Sequence, residues 1–161
     1  MDTEALGSYL NDHLAGSEVG LRTAERLAAE LEDGGDGFLS HLCEEIRDEQ
    51  ALLRTTLDRL ELDESLLKRS AGVAGGVLGW VRDAVPIGDT PTTLEDLEAL
   101  AVGVWGKRLL WGTLARVAAH DERFADLDVD GLAARAEDQE RALLGLRADQ
   151  IEQSLRLGEP A

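Results

Sequence analysis

The residues best placed to do chemistry are carboxylates that recur at helical spacing beside apolar positions. Glu18 lies one turn from leucines on either side, Glu45 and Glu49 are one turn apart, and Glu137 precedes Glu140 by three residues. Oxygen ligands of this kind suit Mn, Mg or Ca. The other interpretation is that each carboxylate lies on a solvated helix face and pairs with a nearby arginine. The sequence alone leaves both interpretations open.

Four segments with apolar residues at three- and four-residue spacing must position these carboxylates. They predict helices over about Thr3–Glu32, Phe38–Glu61, Thr93–His120 and Gly131–Leu157. Glycines in residues 33–37 predict a short turn, which makes the first two helices an antiparallel hairpin. Thr92 and Glu95 have the spacing of a capping box at the start of the third helix. Asp130 is predicted to cap the fourth helix, after an acidic loop over 121–130.

The connection between the second and third helices, residues 62–91, is too long for a hairpin turn and too apolar for a free linker. We expect it to contain a short extra helix. The chain is therefore predicted to be all-α, a single domain over 1–161, with two helical hairpins joined by a long crossover.

Composition excludes several classes of function. Sixteen Lys and Arg against 33 Asp and Glu give a net charge of −17, which disfavours binding to nucleic acid and to anionic membranes. The single cysteine, Cys43, excludes an intramolecular disulfide and fits a reducing compartment. The start of the chain lacks the basic residues of a signal peptide, so a cytoplasmic location is expected. The acid-rich, Lys-poor composition occurs in high-salt-adapted proteins, and a GC-rich genome gives a similar bias towards Arg, so the sequence does not choose between them.

The four helical segments resemble the ferritin-like superfamily of di-iron carboxylate bundles. Residues 10–21, LNDHLAGSEVGL, resemble its first helix, and residues 44–53, EEIRDEQALL, are similar to its E-x-x-H segment. The fourth helix offers EDQE at 137–140, and the third offers Glu95 or Glu98. The resemblance implies a ferritin-like four-helix bundle with two divalent ions, Fe or Mn, held by side chains of all four helices. The candidate ligand positions are Glu18, Glu45, Asp48, Glu98, Glu137 and Glu140.

The chain departs from the family at the histidine ligands. Asp48 and Glu140 stand where the two E-x-x-H histidines should be. An all-carboxylate core carries a net negative charge, which is expensive to bury without further cations. Lys107 and Arg108 are the candidates to neutralise it, because one of them must lie close to the apolar stripe of the third helix. A basic side chain within the cluster would replace the metal.

The leading functional expectation is a non-catalytic structural or binding module whose dimetal centre has degenerated and which needs no cofactor. The alternative is a metal-binding oxidase, peroxide-handling or storage protein with an all-carboxylate site, and a third class is a small-ligand binder. The three tryptophans, Trp80, Trp105 and Trp111, are expected in the core or in an interface. Apolar residues around Trp80, including Val77 and Leu78, predict a homodimer.

Overall fold

The described part of the molecule is all-helical. The computed structural model describes residues 1–31, 37–61 and 92–154, with side chains as far as residue 151. The α-helices are α1 (Thr3–Glu30), α2 (Phe38–Asp58), α3 (Thr93–Ala118) and α4 (Val129–Ser154). A short 3-10 helix spans Glu122–Phe124, and these ranges contain no strand. The prediction of an all-α chain with four long helices is confirmed.

Three helix starts follow from local capping chemistry. The Asp2 carboxylate accepts a hydrogen bond from the backbone N–H of Ala5 at 3.0 Å and caps α1. α2 begins after Gly37, whose φ of 80° is in the left-handed region that glycine adopts readily. The predicted capping box of α3 is confirmed, because Glu95 Oε2 accepts from the Thr92 N–H at 2.7 Å and Thr92 Oγ1 accepts from the Glu95 N–H at 3.3 Å.

The start of α4 differs from the prediction. The cap is Asp128, whose Oδ1 accepts from the Gly131 N–H at 3.0 Å, so the assignment of Asp130 was wrong. Several aspartates in this acidic stretch could cap a helix, and composition alone does not select among them. The predicted loop also contains the 3-10 helix, which buries Phe124 completely. The first three helices end two or three residues before their predicted ends.

Contacts between the helices define the connectivity of the bundle. Arg47 on α2 pairs with Glu25 on α1 at 2.6 Å, within an antiparallel hairpin. α1 is also antiparallel to α3: residue 26 lies beside residue 96 and residue 9 beside residue 113. α3 and α4 form the second hairpin. It follows that α2 and α3 are parallel, so the end of α2 and the start of α3 lie at opposite ends of the bundle. The extra helix and the Trp80 region of our prediction lie outside the described residues.

Leucines dominate the interior, and Trp111 is buried among them. Cys43 is buried as a small apolar residue. Trp105, in contrast, is 45% exposed on the outer side of α3. None of the helices in the described ranges is long and apolar enough to cross a membrane.

Candidate functional site

A lysine occupies the polar centre of the bundle. Lys107 extends from α3 towards α2, and its Nζ donates a hydrogen bond to Glu49 Oε2 at 2.7 Å. The same ammonium donates to Gln139 Oε1 on α4, and Gln139 Nε2 donates to Glu45 Oε2 at 2.7 Å. We call these four residues, Lys107, Glu49, Gln139 and Glu45, the Lys107 network. It joins α2, α3 and α4.

The Lys107 network extends from the interior to the surface through Glu45. Glu45 Oε1 lies 3.7 Å from Arg135 Nε on α4 and 3.5 Å from His41 Nε2, one turn earlier on α2. Both of these partners are exposed, whereas the Glu45 side chain is mostly buried. The charge of Glu45, at the outer end of the network, is therefore screened by solvent, whereas the charges of Lys107 and Glu49 are screened much less.

Burial dominates the electrostatics of the inner ion pair. The Glu49 side chain is 5% exposed and the Lys107 side chain 14%. Burial raises the pKa of the Glu49 carboxyl, against the opposing effect of the Lys107 ammonium. Burial likewise lowers the pKa of Lys107, and the attraction of Glu49 opposes that change. Burial of each charge costs free energy, and the attraction between the two charges offsets part of that cost.

The raised pKa of Glu49 predicts a pH dependence. The folded state binds this proton more tightly than the unfolded state, so the contribution of Glu49 to stability falls as the pH rises through its folded pKa. We expect the free energy of unfolding of the wild type, minus that of Glu49→Gln, to decrease from about pH 4.5 towards pH 7. Chemical denaturation of both proteins at several pH values measures this difference. A difference that is constant or that increases with pH contradicts the prediction.

Three buried polar atoms in the described residues have no hydrogen-bond partner: Glu49 Oε1, Gln50 Nε2 and Trp111 Nε1. Glu49 and Gln50 are neighbours on α2, and Trp111 lies one turn beyond Lys107 on α3. An unpaired polar atom in a protein interior lowers stability, typically by about 1–3 kcal/mol. Two of these atoms belong to the Lys107 network or lie one helical turn from it, namely Glu49 Oε1 and Trp111 Nε1.

The structure separates most of the carboxylates that the resemblance implies as ligands. Glu18 is 54% exposed and lies 4.0 Å from Arg54, and Asp48 is exposed on α2. Glu137 is exposed as well, 3.8 Å from Arg141. Among the six candidate ligand positions, only Glu45 belongs to the Lys107 network.

The remaining two candidates form ion pairs between α3 and α4. Arg108 Nη1 lies 2.7 Å from Glu140 Oε2, and Arg147 Nη2 lies 2.6 Å from Glu98 Oε1. Of the two predicted neutralising residues, Lys107 points to the interior, and Arg108 pairs with Glu140 closer to the surface. Glu140 and Glu98 are therefore each close to a cation of their own.

Comparisons with family models, curated proteins and solved structures gave no match to this chain. The assignment of a site therefore rests on the geometry of the side chains.

The donor set around Lys107 does not fit a dimetal centre. Within residues 1–31, 37–61 and 92–151, no group of three or more His, Cys, Asp or Glu side chains is arranged to hold a metal ion. In the Lys107 network, an ammonium and an amide N–H donate to the carboxylates of Glu49 and Glu45. A metal ion would have to displace Lys107 to reach both carboxylates.

Sequence reasoning named Glu49 beside Glu45 but left it out of the six ligand positions, and it assigned no role to Gln139, although both residues carry a signal. Glu49 has the helical phase of Ile46 and Leu53, and Gln139 has the phase of Ala136 and Leu143. A polar residue in phase with buried leucines predicts a buried hydrogen bond, because an unpaired polar group there is costly. A search restricted to carboxylates overlooks the amide of Gln139.

Proposed function

We propose that this protein is a divergent ferritin-like bundle in which the Lys107 network takes the place of a dimetal centre. The observation that carries the proposal is the 2.7 Å contact between Lys107 Nζ and Glu49 Oε2 inside the bundle. The two hairpins, with α2 parallel to α3, support the ferritin-like part, because a long crossover is typical of that group.

The chemistry of the Lys107 network supports a structural role. An ammonium brings one positive charge and three N–H donors to carboxylates that would otherwise repel each other. Two of its donors are used by Glu49 and Gln139. Buried polar contacts of this kind specify which helices pack together and in which register. We therefore propose that the network fixes the packing of α2 against α3 and α4 and that the protein acts as a non-catalytic structural or binding module.

Metal analysis tests this proposal. The protein is purified without chelator, offered Fe(II), Mn(II) or Zn(II), passed through gel filtration, and assayed by elemental analysis. We expect no stoichiometric metal in the wild type, because the Lys107 ammonium competes for the same carboxylates. Retention of about two ions per chain would overturn the proposal and favour the all-carboxylate oxidase, peroxide-handling or storage protein.

A matched pair of variants sharpens the test. Lys107→Ala removes the ammonium and leaves the carboxylates of Glu45 and Glu49 in place, whereas Arg108→Ala removes the neighbouring cation that pairs with Glu140. Metal retained by Lys107→Ala alone supports replacement of a metal by Lys107. Metal retained equally by the wild type and both variants contradicts it.

A further inference from the structure

The outer side of α3 carries an apolar stripe with charged ends. Glu95, Val102, Leu109 and Arg116 follow one another at intervals of seven residues, which keeps them on one side of a helix, and Trp105 lies beside them. We call these five residues the α3 stripe. Its central side chains are exposed: Val102 by 37%, Trp105 by 45% and Leu109 by 51%. A helix that is apolar on its outer side as well as on its core side indicates a second packing partner.

α4 extends the apolar surface beside the α3 stripe. Leu144 is 50% exposed, and its place along α4 lies between the two ion pairs that join α4 to α3. These pairs are Arg108–Glu140 on one side and Arg147–Glu98 on the other. The surroundings of the stripe thus contain two arginines and two glutamates and are electrically balanced, although the whole chain carries −17. Repulsion between two copies of the chain at these four residues is therefore smaller than the overall charge of −17 suggests.

The ends of the α3 stripe have opposite charge. Glu95 lies in the first turn of α3, where its carboxylate accepts hydrogen bonds from Thr92, and Arg116 lies in the last turn. Within the described part of the chain, the guanidinium of Arg116 makes no ion pair. Val102 and Leu109 are placed symmetrically about the midpoint between Glu95 and Arg116, close to Trp105 and Gly106. Two copies of the α3 stripe therefore match each other in charge and in apolar contacts when their α3 helices run antiparallel.

We infer that a second copy of this chain packs on the α3 stripe, with its own α3 antiparallel, about a two-fold axis near Trp105 and Gly106. In this arrangement Val102 faces Leu109 of the partner subunit, and Glu95 faces Arg116 of the partner subunit. A parallel arrangement would instead bring Glu95 beside Glu95 and Arg116 beside Arg116, which is unfavourable. The inference rests on the proposed function, because it names the partner of the proposed binding module.

The length of α3 is sufficient for a homodimer interface whose binding energy comes from a few central side chains. α3 has 26 residues and is therefore about 39 Å long, enough for a continuous helix-to-helix contact. Binding energy in such interfaces concentrates in a few central residues, among which Trp is frequent. Because a two-fold interface uses each residue twice, one substitution changes two contacts.

Sedimentation equilibrium over a range of concentrations tests the interface. We expect the wild type to be dimeric and Trp105→Glu to raise the dimer dissociation constant by at least about 100-fold, because the substitution acts on both sides of the axis. Ala51→Glu is the matched control, since Ala51 is exposed on α2, a helix that carries no residue of the stripe. It is expected to leave the dissociation constant unchanged.

Cross-linking tests the position of the axis. A Cβ atom at Gly106 would have no neighbour within 4 Å, and the same is true of Gly112, six residues further along α3, so cysteine fits at both positions. Gly106→Cys is expected to give a disulfide-linked dimer under mild oxidation, whereas Gly112→Cys, about 10 Å from the axis along α3, is expected to stay unlinked. Native Cys43 is buried and does not compete.

Charge exchange tests the ends of the stripe. Arg116→Glu and Glu95→Arg should each weaken the homodimer, and an equimolar mixture of the two variants should form the heterodimer in preference to either homodimer. A mixture that shows no such preference contradicts the pairing of these two residues.

Two results overturn the interface as a whole. One is a wild type that stays monomeric at about 100 μM, far above the dissociation constants of stable homodimers. The other is a dimer that persists unchanged in Trp105→Glu. Metal analysis of the wild type and Trp105→Glu separates failure of the interface from failure of the proposed function. If both proteins are free of metal, the proposed role of Lys107 stands whatever the oligomeric state. Stoichiometric metal in both proteins overturns that role independently of the interface.

Discussion

Replacing Lys107 with methionine is expected to lower the free energy of unfolding at pH 7 by about 3–5 kcal/mol, the usual consequence of removing one partner of a buried ion pair. The substitution keeps the length and the apolar stem of the side chain. It removes the ammonium that neutralises Glu49, whose side chain is 5% exposed, and it leaves Gln139 Oε1 without its donor. Denaturant unfolding followed by circular dichroism measures the loss, with the slope of the transition as a check on two-state behaviour.

The residue next to Lys107 provides the control. Arg108→Met also removes a cation from α3, but Arg108 is 40% exposed and its pair with Glu140 is near solvent, so we expect a loss of less than about 1 kcal/mol. Adding Glu49→Leu to Lys107→Met should recover most of the stability, because an apolar pair can replace a buried ion pair at little cost. Equal stability of Lys107→Met and wild type would show that Glu49 does not depend on the ammonium.

Replacing Trp111 with alanine is expected to lower the free energy of unfolding by about 3–5 kcal/mol, the range for truncating a fully buried tryptophan. The Trp111 side chain is 1% exposed and packs in the leucine core one turn beyond Lys107. Its truncation leaves a cavity at the level where α3 packs on its neighbours. Thermal or denaturant unfolding of the variant measures the loss.

Trp111→Phe separates packing from hydrogen bonding. The indole Nε1 of Trp111 has no partner in the described residues, so phenylalanine removes a buried unpaired donor together with part of the ring volume. We expect a loss below about 1.5 kcal/mol, since the two effects oppose each other. A loss as large as that of Trp111→Ala would mean that the indole N–H contributes a hydrogen bond of its own.

The sequence predicts the helices well because their signals are local. Apolar periodicity places α1, α2 and α3 within a few residues, and the Thr92–Glu95 spacing predicts the capping box that starts α3. The cap of α4 was assigned to Asp130 and is Asp128. Both are aspartates in one acidic stretch, so residue type alone does not select between them.

The candidate site is only partly predictable, because its partners depend on how the helices are aligned. Periodicity places either Lys107 or Arg108 close to the core, and the structure shows that it is Lys107. Periodicity gives the side of a helix and not the height of a residue against another helix, so it does not show that Lys107 meets Glu49 instead of Glu18 or Glu140. The ferritin-like assignment, the absence of metal and the homodimer stay predictions, to be decided by metal analysis and by sedimentation.

The Lys107 network has a consequence for the order of folding. Lys107 and Gln139 belong to one hairpin and are 32 residues apart, whereas Glu49 comes from the other hairpin, 58 residues from Lys107. Hairpins built from neighbouring segments form quickly, and contacts between distant segments form later. The charge of Glu49 is therefore buried only when the two hairpins dock. The alignment that brings Glu49 to Lys107 gives this buried carboxylate a cation, and other alignments bury it without one. The network then slows unfolding more than it speeds folding, so it prolongs the lifetime of the correctly docked bundle.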